Sequence, residues 1–380
     1  MLALRAVRKE AGNDLLRRAG MTLLGKGHTK RGAPHICYHS SNYFLNAPYD
    51  IMNVTYSVLD LAVVTEGQTH ADAIRCSRQL AKEVEQMGYT RFWMAEHHNM
   101  ENIASSATSL LLGHIAVATD TIRVGSGGVM LPNHSPLIIA EQFGTLATIY
   151  PDRIDLGLGR APGTDQATAQ AIRPDRMQQV RQFPRNVKQL QQYFSTDNST
   201  SAVRAIPGEG TEVPIWILGS STDSAHLAAA MGLPYAFASH FAPQQLHAAL
   251  EVYRDNFQPS EQLEAPYVMP CVNVVAADTD EQAEWLSTSL KQMFMGVVTG
   301  DRRPMPAPVD DMSDVWTPRE KMAVEQMLTY SFIGGPNTIS EQLSDFLDQT
   351  GADEIMIASY IYDQTQRMRS HRLVADIMSS

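Results

Sequence analysis

Residues 122–161 read IRVGSGGVMLPNHSPLIIAEQFGTLATIYPDRIDLGLGRA. Two short apolar runs, IRVGSGGVML (122–131) and IDLGLGRA (154–161), suit β-strands. Between them, PLIIAEQFGTLATIY (136–150) has the length and apolar content of a helix, and Pro136 favours its first turn. Strand, helix and strand in forty residues make a βα repeat, and parallel strands need such a crossover.

The same rhythm extends in both directions. Upstream lie a strand at TYSVLDLA (55–62), a helix at HADAIRCSRQLAKEVEQMG (70–88) ending on glycine, a strand at RFWMAEH (91–97) and a helix at SATSLLLGHIAVAT (106–119). Downstream come a helix near 175–194, then strands at 213–220, 235–241, 267–277 and 354–361. Helices are expected at 223–232, 243–257, near 280–296 and at the C-terminal end. Eight βα units predict an α/β fold, a closed (β/α)8 TIM barrel with insertions, rather than an open sheet. The extra length sits at 195–212 and at 297–337, polar stretches that suit lids or binding loops.

The chain has 380 residues, 44% of them hydrophobic and 19% charged, with formal charge −11, which disfavours general binding to a phosphate backbone. No nucleic-acid partner is expected. No apolar run approaches the ~20 residues that cross a bilayer, so no membrane partner is expected either. Three cysteines, widely spaced and without a CxxC pair, support neither a zinc ribbon nor a disulfide scaffold and suit a cytoplasmic protein. Residues 1–52 differ in composition, with eight Lys or Arg against three acidic residues. They are expected to be an N-terminal extension outside the fold. Met52 is a natural start, and a basic amphipathic targeting segment is the alternative. The barrel domain is then 53–380.

The chemistry gathers at the C-terminal ends of the predicted strands, where barrels of this kind carry their sites. AEHHN (95–99) closes one strand. Alternation sends His97 and His98 to opposite faces, which makes them a poor chelate, and no metal site is expected. A histidine there either moves protons near neutral pH or simply binds loop backbone. Gly127 and Gly128 lie inside a strand, where glycines mark a bulge or the close approach of a ligand. Arg160 ends the next strand and needs an anion or water. Ser220, Ser221 and Ser224 surround a helix N-terminus, either as a phosphate site or as ordinary caps.

AEHHN, the 125–163 stretch and PIWILGSSTDSAHLAAAMGLPYAFASHF (214–241) together resemble the bacterial luciferase-like flavin-dependent monooxygenase family, closest to its single-chain members of unassigned substrate. The resemblance covers nearly all of 53–365. It implies a (β/α)8 barrel that uses reduced FMN and O2, through a C4a-(hydro)peroxyflavin, to oxidise a small organic substrate. It also implies an NAD(P)H:flavin reductase as FMNH2 supplier, and a homodimer. By similarity His97 is the catalytic histidine, and Gly127 and Gly128 support the flavin ring through a bulged or cis peptide. Arg160 and Arg185 bind flavin and its phosphate, and Ser220, Ser221 and Ser224 surround that phosphate. Luciferase has a reactive cysteine where this chain has Gly159, and an acidic residue where it has Ser220. An F420-dependent oxidoreductase of the same superfamily and a non-catalytic flavin-binding protein are the competing readings.

Overall fold

The computed structural model describes residues 54–379, so the readings for residues 1–52 lie outside the described residues. Eight parallel strands close into a barrel: β1 (Thr55–Asp60), β2 (Arg91–Met94), β3 (Arg123–Met130), β4 (Ile154–Gly159), β5 (Ile215–Gly219), β6 (Tyr235–Phe237), β7 (Val268–Ala276) and β9 (Glu354–Ala358). Each pairs with the next, β7 pairs with β9, and β9 returns to β1. Each of these strands falls within one of the eight apolar runs read from the sequence. Among the described residues no helix is long and apolar enough to cross a membrane.

A ninth strand, β8 (Ser331–Gly334), lies in the stretch read as an insertion and pairs with the second half of β7 through Asn273–Ala276. Four residues with half-buried positions are too short for a period-2 signal. A neighbouring signal was present, however. Thr317 and Glu320 form a capping box that starts α9 (Pro318–Met327), and the TPRE spacing encodes it. The 297–337 segment is thus partly a βα unit of its own.

The helices between strands are α1 (His70–Gln86), α2 (Thr108–Ala116), α3 (Pro136–Ile149), α4 (Gln166–Ile172), α5 (Arg176–Phe194), α6 (Thr222–Met231), α7 (Leu246–Asn256), α8 (Asp280–Thr299), α10 (Pro336–Thr350) and α11 (Gln364–Met378). α1 shows how they seat. Thr69 and Asp72 cap it reciprocally, and Ala73, Leu80, Ala81 and Val84 form its buried stripe.

Strand alternation separates two apolar layers. Val58, Phe92, Val124, Leu156, Ile217 and Ile357 pack outward under the helices. Leu59, Trp93, Trp216, Met269 and Met356 fill the barrel interior. The Trp93 and Trp216 rings meet edge to face at 5.2 Å. The N-terminal end of the barrel is plugged by charge. Arg91 reaches Glu354 and Asp155 at 2.8 Å, Arg123 joins Asp155 at 2.6 Å, and Tyr267 donates to Glu354 at 2.9 Å. Removing one partner of such a buried network costs about 3–5 kcal/mol. The apolar middle and the charged base leave the C-terminal mouth as the reactive end.

Candidate active site

His97 lies three residues beyond β2. The strand ladder continues as far as Ala95, whose amide donates to Asp60 O, and the His97 amide then donates to Ser105 O at 3.0 Å. The His97 ring is half-buried, with Nδ1 3.2 Å from Gly163 O. A carbonyl can only accept, so this contact puts the proton on Nδ1 and leaves the Nε2 lone pair free. Burial lowers the pKa of His97, the Gly163 carbonyl opposes that, and Arg302 lowers it further. A neutral imidazole with a free Nε2 can take a proton from a bound group. Gly163 has φ +67°, and a Cβ there would lie 2.6 Å from Glu96 O, so only glycine can present this carbonyl.

Glu96 and His98 point elsewhere, as alternation requires. The Glu96 carboxylate is 2% exposed and accepts from His98 Nε2 and His134 Nε2, each at 2.9 Å, and from the Met130 amide at 3.1 Å. Asn133 Nδ2 adds a bond at 3.3 Å. Burial raises the Glu96 pKa, but the two histidines and the amide outweigh it and hold the group at about 2. Glu96 therefore locks the turn after β3 onto the end of β2.

Gly127 and Gly128 lie where the β3–β4 register shifts between Ser126 and Val129, and the peptide joining them is cis. A Cβ on Gly127 would meet Leu59 Cδ1 at 2.7 Å, and one on Gly128 would meet Gly157 O at 2.6 Å. The sequence left open a bulge or a ligand approach. The structure has the irregular register, and it presents backbone without side chains beside His97's strand.

Arg160 follows β4 and reaches Asp223 Oδ2 in the first turn of α6 at 3.4 Å. Ser220 is exposed. Ser221 is the N-cap of α6 by position, yet its hydroxyl makes no cap bond. Ser224 turns inward instead, donating to Ser221 O at 2.7 Å and meeting Tyr235 OH at 2.9 Å. Arg160, Ser220 and Ser221 thus meet at a helix N-terminus, while Ser224 braces the turn from within. Arg185 sits on the exposed face of α5, nine residues past Arg176, and its side chain has no partner among the described residues.

Two groups received no role in the sequence reading. Arg176 opens α5 and bonds Asn133 Oδ1 at 3.0 Å and Arg160 O at 2.8 Å, joining the Glu96 cluster to Arg160. A cation in a first helical turn opposes the helix dipole, which is the signal that could have marked it. His134, in LPNHSP, was visible only as a turn residue. The segment around 302–305 also borders this mouth. The Met305 amide donates to Val64 O and the Glu66 amide to Met305 O, and the adjoining Val64 amide donates to Asn102 O.

These residues fit a flavin nucleotide. Bare backbone suits a flat ring, a cation over a helix N-terminus on one side of it suits a phosphate, and an imidazole with a free nitrogen follows the adjacent strand on the other side. The sequence profile described as luciferase-like monooxygenase matches residues 54–354. The protein YvbT of Bacillus subtilis (strain 168) is 52% identical over 322 residues, covering 84% of this chain and 96% of that one. A luciferase-like monooxygenase of Escherichia coli (strain K12) is 49% identical, covering 85% and 97%. The solved structure of apo-MsnO8 superposes with a TM-score of 0.80 at 37% identity, covering 85% of this chain and 98% of that one. Carrying the barrel, the ordered motifs and this profile over residues 54–354, the chain belongs to the luciferase-like monooxygenase family.

Proposed function

We propose that this protein is an FMN-dependent monooxygenase, which binds reduced FMN at the barrel mouth and uses O2 to oxidise a small organic molecule. The observation that carries the reading is an arc. His97 after β2, Gly127–Gly128 in β3, Arg160 after β4 and Ser220–Ser221 after β5 follow four adjacent strands. Reduced FMN would supply the electrons that activate O2. The chain's own part is to seat the ring on Gly127–Gly128 and to hold the phosphate at Arg160 and α6. His97 Nε2 takes up or returns a proton beside the ring, and the 302–305 segment shields it from water.

The fold does not choose the cofactor. An FMN complex of the oxygenating constituent of 3,6-diketocamphane monooxygenase shares it at TM-score 0.64 and 16% identity. An F420-dependent secondary alcohol dehydrogenase shares it at 0.62 and 13%. Reduced flavin would come from a separate NAD(P)H:flavin reductase. Leu110, Val117, Ile138 and Ile149 are exposed on or beside α2 and α3, which supports pairing of two copies through those helices. A cytoplasmic location is part of the same reading.

The test is 18O incorporation. Protein, reduced FMN and a panel of aldehydes, ketones and thioethers are mixed with 18O2, and the products are weighed. One labelled atom in a product supports the reading. Flavin oxidation with no labelled product from any compound favours a non-catalytic flavin binder.

A further inference from the structure

A second imidazole borders the mouth. His240 is 7% exposed, Nδ1 is sealed inside without a partner, and among the described residues neither ring nitrogen is hydrogen-bonded. Nε2 is not sealed in this way, so it lies on the ring's open edge. A buried histidine that serves packing normally has its nitrogens satisfied. His371 is a different case: its Nε2 is also buried without a partner, but its Nδ1 bonds Tyr89 OH at 3.2 Å, and it sits on α11, outside the strands.

The backbone around His240 is held on two sides. Asn273 of β7 donates to His240 O at 2.6 Å, and Ser331 of β8 lies 2.9 Å from that same amide nitrogen. Ser239 donates to Cys271 O at 2.6 Å, and the Phe241 ring stands edge-on at 4.8 Å. His240 lies in the turn that follows β6, at the same C-terminal end of the barrel as His97.

We propose that His240 Nε2 positions the substrate across the mouth from His97 by hydrogen-bonding an uncharged polar group on it, such as an amide, carbonyl or hydroxyl. Burial, then the neighbouring charge of His97, pushes the pKa of His240 down to about 3. It is therefore neutral at pH 7 and gains little from a carboxylate. β8, outside the closed barrel, gains a purpose here, because its Ser331 braces the Asn273 that holds His240.

This assignment rests on the monooxygenase reading, and the experiment separates the two. Full-length protein labelled with 15N-histidine is titrated with isobutyramide, then with isobutyrate, with and without reduced FMN under nitrogen. The His240 signal is identified by its loss in His240→Gln. Isobutyramide should move the His240 Nε2 resonance and isobutyrate should not. By fluorescence of the tryptophans, His240→Ala should weaken isobutyramide binding about tenfold. His240→Gln, which keeps a nitrogen near the Nε2 position, should restore it, and His240→Asn should not. Reduced FMN binding with no isobutyramide response, or an equal response to isobutyrate, overturns the assignment and leaves the flavin reading standing. An isobutyramide response without flavin binding does the reverse. The resonance shift is read on the unaltered chain, so it stands even if His240→Ala fails to fold.

Discussion

His134 Nε2 lies 2.9 Å from both carboxylate oxygens of Glu96, while the ring of His97, next in the chain, turns to Gly163 O at 3.2 Å. The acid therefore does not act on His97 by contact. It ties the turn after β3 to the end of β2, and through Asn133 and Arg176 it reaches Arg160. Glu96→Gln should cost about 2 kcal/mol in urea unfolding, the scale of lost charged hydrogen bonds. It should weaken reduced FMN by about tenfold and, by removing a nearby negative charge, lower the pH at which His97 titrates. Unchanged stability together with unchanged FMN affinity would contradict the bracing role.

The two glycines of β3 should respond differently to a methyl group. On Gly128 it meets a backbone oxygen at 2.6 Å, which cannot move aside. On Gly127 it meets the tip of Leu59, which can. Gly128→Ala should lower stability by about 1–3 kcal/mol, the range for overpacking, and Gly127→Ala by less. Urea midpoints check the order, and equal losses contradict it.

Arg160 stands at α6, whereas Arg185 stands on the open face of α5. Arg160→Met should weaken FMN by about tenfold or more, and leave riboflavin, which lacks the phosphate, within about twofold. Arg185→Met should change neither by more than about twofold. Titrations of the two flavins against both variants decide the matter. Loss at Arg185 alone would move the phosphate away from α6.

Acid should destabilise this barrel early. Burial depresses the pKa of His240 and of His371 to about 3 from an ordinary 6.5. Between those values the unfolded chain binds protons that the folded chain refuses, so stability falls as pH falls. Each group contributes a slope of about 1.4 kcal/mol per pH unit. Glu96 acts in the same direction at lower pH. Its stabilisation is complete above about 4.5 and is lost as pH falls through about 2. His371→Asn should flatten the urea-derived profile between pH 6.5 and 4 by about that single-group slope. An unchanged slope would mean that His371 charges in the folded state.

The barrel was legible because each of its strands is a separate apolar run between turn residues, and because the parallel crossover leaves few topologies for eight such runs. β8 escaped, since SFIG is four residues long and half-exposed. At the site, strand ends pointed to the His97–His98 pair and to Arg160, glycines inside a strand marked Gly127 and Gly128, and the family resemblance singled out His97. What the sequence could not supply were contacts between residues far apart in the chain. Arg176 meets Asn133 across 43 positions and Asn273 holds His240 across 33. Ser224 shows the same limit in reverse. Its spacing suits a phosphate, yet its hydroxyl is turned to Ser221 O and Tyr235.

The central claim is that the arc from His97 to α6 is a seat for reduced FMN. Anaerobic calorimetry with photoreduced FMN, repeated with reduced F420, tests it most directly. The account predicts one FMN site per chain, lost on replacing Arg160 together with Ser221, and much weaker F420 binding. Binding of neither cofactor, or F420 binding in preference to FMN, would contradict it.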